Sequence, residues 1–157
     1  MSAYAARARQ LLVVHIASSV GVLGADLVLL ALGVTGWLGA TPATVYPAMR
    51  IVAAGVIAPL AVVALTSGLA LAMRARLVRR GWVLVKLGVT SALTVAVFAV
   101  VAPGLGRVAE DVTRTAGTVA DSHRLTYAIA PSVSLALLLL NVVLAVYQPR
   151  SRGGART

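Results

Sequence analysis

Hydrophobic and polar positions divide this chain into four long apolar stretches separated by short polar connections. Each stretch is continuous and about 20 residues long, the length at which a helix crosses the ~30 Å hydrocarbon core of a bilayer. Strands of a membrane barrel would instead alternate apolar and polar positions over ~10 residues. The pattern therefore predicts an all-α protein, a transmembrane four-helix bundle forming a single domain over residues 1–157. The predicted spans run roughly from Leu11 to Gly33, Ile51 to Met73, Trp82 to Ala102 and Tyr127 to Tyr147.

Composition supports the same class, since 60% of the 157 residues are hydrophobic, more than a soluble core of this size can bury. The first apolar run is longer than the hydrophobic region of a signal peptide, which predicts a retained first helix. The chain has no cysteine, so disulfides, thiolate metal sites and cysteine nucleophiles are excluded.

Of the 14 Lys and Arg residues behind the net charge of +10, nine arginines collect on one side of the predicted bundle. They precede the first span, fill the second connection and follow the last span, and the positive-inside rule therefore places both termini in the cytoplasm. This placement predicts a multi-pass protein of the cell membrane that contacts anionic lipids rather than nucleic acid. The residues concerned are Arg7, Arg9, Arg74, Arg76, Arg79, Arg80, Arg150, Arg152 and Arg156.

Glycine and proline define the connections. Residues 34–50 are expected to form an ordered loop outside the membrane, with Pro47 just ahead of the second helix. Tyr46 and Trp37 in this loop are predicted to be anchors at the membrane interface. Pro59 is expected to kink the second helix, and Pro131 to lie in the first turns of the fourth. The third connection, residues 103–126, is expected to extend the third and fourth helices outward.

Three ionisable residues lie inside the spans: His15, Asp26 and Lys86. A charge in hydrocarbon costs ~3 kcal/mol or more, so each is a candidate functional residue. On a helix, His15, Ser19 and Asp26 fall on one line, while Lys86 follows Trp82 by four residues on the third span. His15 and Lys86 are at matching depth, which predicts that they face one inter-helix space.

Each of these residues also has a structural interpretation. Lys86 can extend its charge to the interface along its aliphatic stem, and His15 can bond to a helix carbonyl or to Thr66. The short side chain of Asp26 lies too deep to reach the membrane interface. We expect it either to form an ion pair with Arg50 or to serve as a proton or cation site. A separate face of small residues on the first helix predicts a packing seam, formed by Ala17, Gly21, Gly24 and Ala25.

The first-helix pattern HIASSVGVLGADLVLLALGVTG and the third-helix pattern GWVLVKLGVT resemble a family of small actinobacterial integral membrane proteins. That family in turn resembles CopD-like domains and the HemJ type of protoporphyrinogen oxidase. The resemblance implies haem b bound through His15, with Trp82 and Lys86 as signature positions and Lys86 holding a propionate or an acidic substrate group.

The chain departs from the HemJ pattern where Gly21, Val22 and Asp26 stand in place of an aromatic residue followed by an arginine. No second histidine lies in the spans, so a haem would need a single axial ligand, a ligand other than histidine, or a second copy that supplies another His15.

Three functions remain open at this point. The first is a haem-binding, HemJ-like membrane oxidoreductase. The second is a non-enzymatic accessory or scaffold subunit that packs against another copy or another membrane protein. The third is a small proton-coupled transporter that uses Asp26. Hydrolysis is disfavoured, because the sequence has no Ser-His-Asp arrangement, no paired carboxylates and no zinc-binding HExxH helix.

Overall fold

The structure, a computed structural model, describes residues 3–76, 80–114 and 119–146, and helices fill nearly all of these ranges. Two π-helical segments, Ile51–Ile57 and Val97–Val101, join helices end to end. The predicted span end at Tyr147 lies outside the described residues. The α-helices are α1 (Ala3–Trp37), α2 (Pro42–Arg50), α3 (Ala58–Arg74), α4 (Gly81–Ala96), α5 (Ala102–Arg114) and α6 (Asp121–Val146).

The prediction of four apolar helices is confirmed. Four continuous helical stretches are long and apolar enough to cross a membrane, namely Ala6–Trp37, Pro42–Arg74, Gly81–Arg114 and Ser122–Val146. Only 6% of the most apolar window of the fourth stretch is buried inside the protein. Such a surface is typical of helices that meet lipid, because hydrocarbon covers apolar side chains that water would leave exposed.

The predicted loop over residues 34–50 is wrong, because most of it is helical. Helix α1 continues to Trp37, a turn containing Gly39 follows, and α2 starts at Pro42. Proline suits the first position of a helix, where its missing N–H has no partner anyway. Pro47 lies inside α2 rather than ahead of the second helix, and it removes only one further hydrogen bond.

Both π-helical segments end two residues before a proline, at Pro59 and Pro103. A proline ring clashes with the carbonyl four residues earlier and cannot donate to it. The wider π turn relieves this crowding, so the kink expected at Pro59 is accommodated as a change of helix type. Helix α5 then continues the third span to Arg114 and α6 begins at Asp121, which confirms the extension of both helices. Pro131 therefore lies inside α6, not in its first turns.

The four spans form a ring in the order α1, α3, α4, α6. Helix α1 packs against α3 and α6, and α4 packs against the same two helices from the other side. Helices α1 and α4 are thus diagonal to one another. At one end of the ring α2 packs on α5, and we call this the α5 end. The opposite end, where α1 starts and α6 finishes, is called the N-terminal end.

The buried core is concentrated towards the α5 end. Tyr46 is 2% exposed, Met49 1% and Leu105 0%, because α2 and α5 press their apolar faces together. Tyr46 is therefore a core residue and not the predicted interface anchor, whereas Trp37 is 56% exposed. Helical structure over residues 42–50 turns the tyrosine inward, which a loop would not do.

The predicted small-residue seam on α1 is divided between two surroundings. A Cβ at Gly21 would lie 2.9 Å from the side chain of Leu60 on α3, whereas one at Gly24 would meet nothing within 4 Å. Gly21 thus packs inside the bundle, and Gly24 faces outward.

Candidate functional site

Asp26 lies inside the bundle and bonds to α6. It is 4% exposed, and the hydroxyl of Ser134 lies 2.6 Å from each of its two carboxyl oxygens. Ser134 is at the midpoint of the span Ser122–Val146, and Asp26 is about three helical turns from the nearer end of its own span. Within residues 3–76, 80–114 and 119–146, Asp26 forms no ion pair. An acidic side chain is thus held deep between two apolar helices by a neutral partner.

A close approach of α1 and α6 positions this pair. A side chain at Gly33 would overlap the carbonyl oxygen of Tyr127 and would reach 3.2 Å from the Cα of Ala128. In an α-helix the Tyr127 carbonyl accepts from the N–H of residue 131, but Pro131 has none. The carbonyl that the proline releases therefore occupies the space that the glycine leaves empty, an arrangement suited to a weak Cα–H···O contact.

The predicted ion pair between Asp26 and Arg50 does not form. The Arg50 guanidinium instead lies 3.9 Å from Glu110 on α5. The side chain of Arg50 is 50% exposed and that of Glu110 is 58% exposed. They line a shallow groove of about 560 Å³ between the second span and α5. Because residues 42–50 are helical, Arg50 faces α5, while Asp26 faces α6.

His15 bonds to α3. Its Nδ1 lies 3.0 Å from the carbonyl oxygen of Ala64 and 3.3 Å from the hydroxyl of Ser67. A carbonyl only accepts, so Nδ1 carries the proton, and the neutral ring leaves Nε2 with an unshared electron pair. Nε2 makes no hydrogen bond among the described residues and is not fully buried. The ring also lies over Gly68, where a Cβ would come within 2.8 Å of it.

His15 and Lys86 are not brought together. His15 lies on α1 and Lys86 on the diagonal helix α4, and no hydrogen bond or ion pair links them. Lys86 is half-buried and makes neither kind of contact within the described ranges. Trp82, one turn earlier, is also half-buried. The bond from His15 to a helix carbonyl matches the structural interpretation, although the hydroxyl beside it belongs to Ser67 rather than Thr66.

A second polar contact joins α4 to α6. The amide of Asn141 donates to the Thr90 hydroxyl at 2.9 Å, and that hydroxyl donates to the carbonyl of Lys86 at 2.9 Å. The Thr90 hydroxyl has one proton, which it donates to the Lys86 carbonyl, so it can only accept from Asn141. The NH₂ group of the Asn141 amide must therefore face Thr90. The Oδ1 of Asn141 is consequently left buried without a donor. Lys86, with its unpaired ammonium group, is one helical turn from Thr90.

Polar residues recur at seven-residue intervals on α6, at Tyr127, Ser134 and Asn141. Seven residues return a helix to nearly the same direction, about 10 Å further along its axis. The three side chains therefore share a face that runs from the α5 end towards the N-terminal end. Their neighbours are Tyr46, Asp26 and Thr90 respectively.

No family model, curated protein or solved structure matches this chain. The resemblance to HemJ-like proteins therefore remains a prediction from the quoted helix patterns. Within the described ranges no three His, Asp or Glu side chains gather as a metal site. The geometry of Asp26, His15 and the α6 face is accordingly the basis for any functional argument.

Some residues of this site have sequence signals and others do not. The seven-residue spacing of Ser134 and Asn141 predicts that they share one face of the fourth helix, and both side chains do meet neighbouring helices from that face. Ser18 rather than Ser19 lies on the buried face of α1, with 4% exposure. The roles of Gly33 and Gly68 were missed, and for Gly33 the proline four residues beyond Tyr127 is the signal that marks a carbonyl in need of a partner.

Proposed function

We propose that this chain is a multi-pass protein of the cell membrane that binds and releases a proton at Asp26 while it carries a solute across the bilayer. Both termini are cytoplasmic in this proposal, so the α5 end faces outward. The observation that carries it is the buried carboxyl of Asp26 at membrane depth, whose one hydrogen-bond partner in the described ranges is the hydroxyl of Ser134. An ionisable residue inside a membrane span marks an ion or proton pathway more often than a structural contact.

Ser134 suits a group that changes its protonation state. When Asp26 is ionised, the serine hydroxyl donates to the carboxylate. When Asp26 is protonated, its own O–H can donate to the serine oxygen, and the serine proton can turn to the carbonyl of Pro131 at 3.3 Å. One side chain thus satisfies both forms without any movement of the backbone, which is what reversible proton binding requires.

The polar face of α6 supports a route towards the cytoplasm. Asn141 is two helical turns beyond Ser134 and has a buried, unpaired Oδ1 that can accept from water. Beyond it, Lys86 is half-buried near the cytoplasmic end of α4. The ~10 Å steps between these groups are too long for direct transfer, so water molecules would complete the chain of hydrogen bonds.

The test is proton entry into liposomes that contain the protein, read by a trapped pH dye during an imposed membrane potential. Small molecules extracted from the host cell are supplied as solutes. We expect wild type to move protons and Asp26→Asn to lose this activity, because the amide keeps a hydrogen bond to Ser134 but exchanges no proton. Glu110→Gln is the matched control, since it removes the same charge outside the bundle.

If liposomes containing Asp26→Asn took up protons as fast as those containing the wild type, the transport role would be contradicted. If the wild type also moves no protons with any supplied solute, the scaffold or accessory function becomes the better interpretation of the bundle.

Haem binding is a second candidate, favoured by the tautomer of His15. Metal-ligating histidines usually donate their other ring N–H to a carbonyl or a carboxylate, as Nδ1 does here to Ala64. The residues present fit one axial position only. The other histidine of the chain, His123, is at the far end of α6, and Lys86 lies on the helix diagonal to His15.

The absorption spectrum of purified protein from haem-replete cells tests this candidate. Haem binding through His15 predicts a Soret band in the wild type that His15→Ala loses, with Lys86→Ala as the comparison for the propionate contact. A colourless wild type would count against it.

A further inference from the structure

Three arginines from three different helices converge at the α5 end. Arg50 belongs to α2, Arg107 to α5 and Arg124 to the first turns of α6. A Cβ at Gly106 would lie 3.8 Å from the Nε of Arg50, which places the Arg50 side chain against α5 one residue from Arg107. Arg50 has Glu110 as a partner at 3.9 Å.

The Nε of Arg124 is buried and has no hydrogen-bond acceptor. Arginine keeps its charge at all relevant pH values, so this N–H cannot be relieved by deprotonation. A buried donor without an acceptor is unfavourable, and more so when it belongs to a charged group. Such groups in folded proteins usually have a water molecule or an ion beside them.

Three ring side chains pack together at the α5 end. The ring of Tyr127 is stacked with His123 at 6.4 Å between centroids and meets the edge of Tyr46 at 5.9 Å. A Cβ at Gly104, one helical turn before Arg107 on α5, would lie 2.7 Å from the hydroxyl of Tyr127. Tyr127 is also one helical turn beyond Arg124 on α6. Tyr127 is therefore within about one helical turn of both arginines.

The depth of Arg124 indicates which anion fits. It is two residues from the start of the helical stretch Ser122–Val146, and the ends of membrane helices lie among the phosphate headgroups. The fork of guanidinium N–H donors matches the geometry of phosphate oxygens. We propose that Arg124 and Arg107, with the hydroxyl of Tyr127, bind a phosphate group at the α5 end, either from an anionic lipid or from a free phosphate compound. This proposal does not depend on proton binding at Asp26.

Two arms of one experiment separate the two sources. The first follows thermal unfolding in neutral detergent with inorganic phosphate, against chloride at equal ionic strength. The second measures phosphatidylglycerol retained after reconstitution in mixed phosphatidylglycerol and phosphatidylcholine bilayers, by mass spectrometry of the intact complex. Stabilisation by inorganic phosphate indicates a free ligand, and selective phosphatidylglycerol retention alone indicates a lipid headgroup.

Arg124→Gln is expected to weaken whichever binding is seen by about tenfold, the loss typical of a charge-assisted hydrogen bond. Arg114→Gln, an exposed residue at the end of α5, carries the same change in net charge and should bind as wild type does. Arg124→Lys keeps the charge but lacks the fork, so it should fall between the two and remain informative if Arg124→Gln folds poorly. Equal binding by Arg124→Gln, Arg124→Lys and Arg114→Gln, or no phosphate preference in the wild type, would overturn the proposal.

Discussion

Replacing Gly33 by leucine is expected to separate α1 from α6 and to prevent the bundle from folding as one unit. The new side chain would occupy the position of the Tyr127 carbonyl, which is backbone and cannot rotate away. Overpacking of a tight site costs ~1–3 kcal/mol when side chains can adjust, and here the helix itself has to move. We therefore expect a loss at or above the upper end of that range.

The measurement is unfolding of the purified protein by increasing SDS in mixed micelles, followed by circular dichroism. Gly24→Leu is the matched control, because it adds the same side chain to the same helix where nothing lies within 4 Å. Equal unfolding midpoints for the two variants would show that α1 and α6 do not meet at Gly33. A milder variant, Gly33→Ala, should destabilise in the same direction by a smaller amount.

Removing the hydroxyl of Ser134 is expected to have the second large effect. Ser134→Ala leaves the buried carboxyl of Asp26 without a partner, a loss of ~1–3 kcal/mol for a neutral group and more for a charged one. Asp26→Leu removes the group that needs solvation and should be tolerated far better. In the double variant, Ser134→Ala should cost little, which gives a coupling free energy of ~1–3 kcal/mol between the two positions.

Ser132→Ala provides the control for this cycle. Its hydroxyl donates only to the carbonyl of Ala128 within α6, and its side chain is exposed. Unfolding of the four variants in mixed micelles measures the coupling. If Ser134→Ala loses no more stability than Ser132→Ala, or if its cost is the same with Leu at position 26, the two side chains do not stabilise one another.

The apolar pattern was sufficient for the number of helices and for most of their extent. Runs of about 20 hydrophobic residues have one stable form in hydrocarbon, because backbone N–H and C=O groups must bond within the segment. The extension of the third and fourth helices beyond the apolar core was also predicted. Helix α2 was not predicted, since Pro42, Pro47 and nearby glycines are typical of turns. Packing against α5 and α1 gives those residues a buried face.

Hydropathy does not report how each helix is rotated about its own axis. Nearly all residues of a span are apolar, so the sequence does not say which face of α1 meets α3 and which meets α6. His15 and Lys86 were placed at the same depth, and depth alone suggested a shared space. The ring order puts their helices on a diagonal, and His15 bonds to α3 instead. Pairing of Asp26 with Ser134 depends on the same rotation.

Charge complementarity also proved a weak guide to partners. Arg50 is the cation nearest to Asp26 along the adjoining span, yet it faces Glu110 across a solvent-exposed groove. A flexible arginine outside the bundle keeps its hydration there, whereas moving its charge between apolar helices would require desolvation. The neutral hydroxyl of Ser134 carries no such penalty, and this explains why it is the group that meets the carboxyl.

The most direct test of proton binding at Asp26 is the infrared spectrum of the protein in lipid bilayers, recorded over a series of pH values for wild type and Asp26→Asn. Proton binding at Asp26 predicts a carbonyl band of a protonated carboxylic acid in the wild type, absent from Asp26→Asn and lost reversibly as the pH is raised. A wild-type spectrum without this band at any pH, or with a band that never responds to pH, would contradict it.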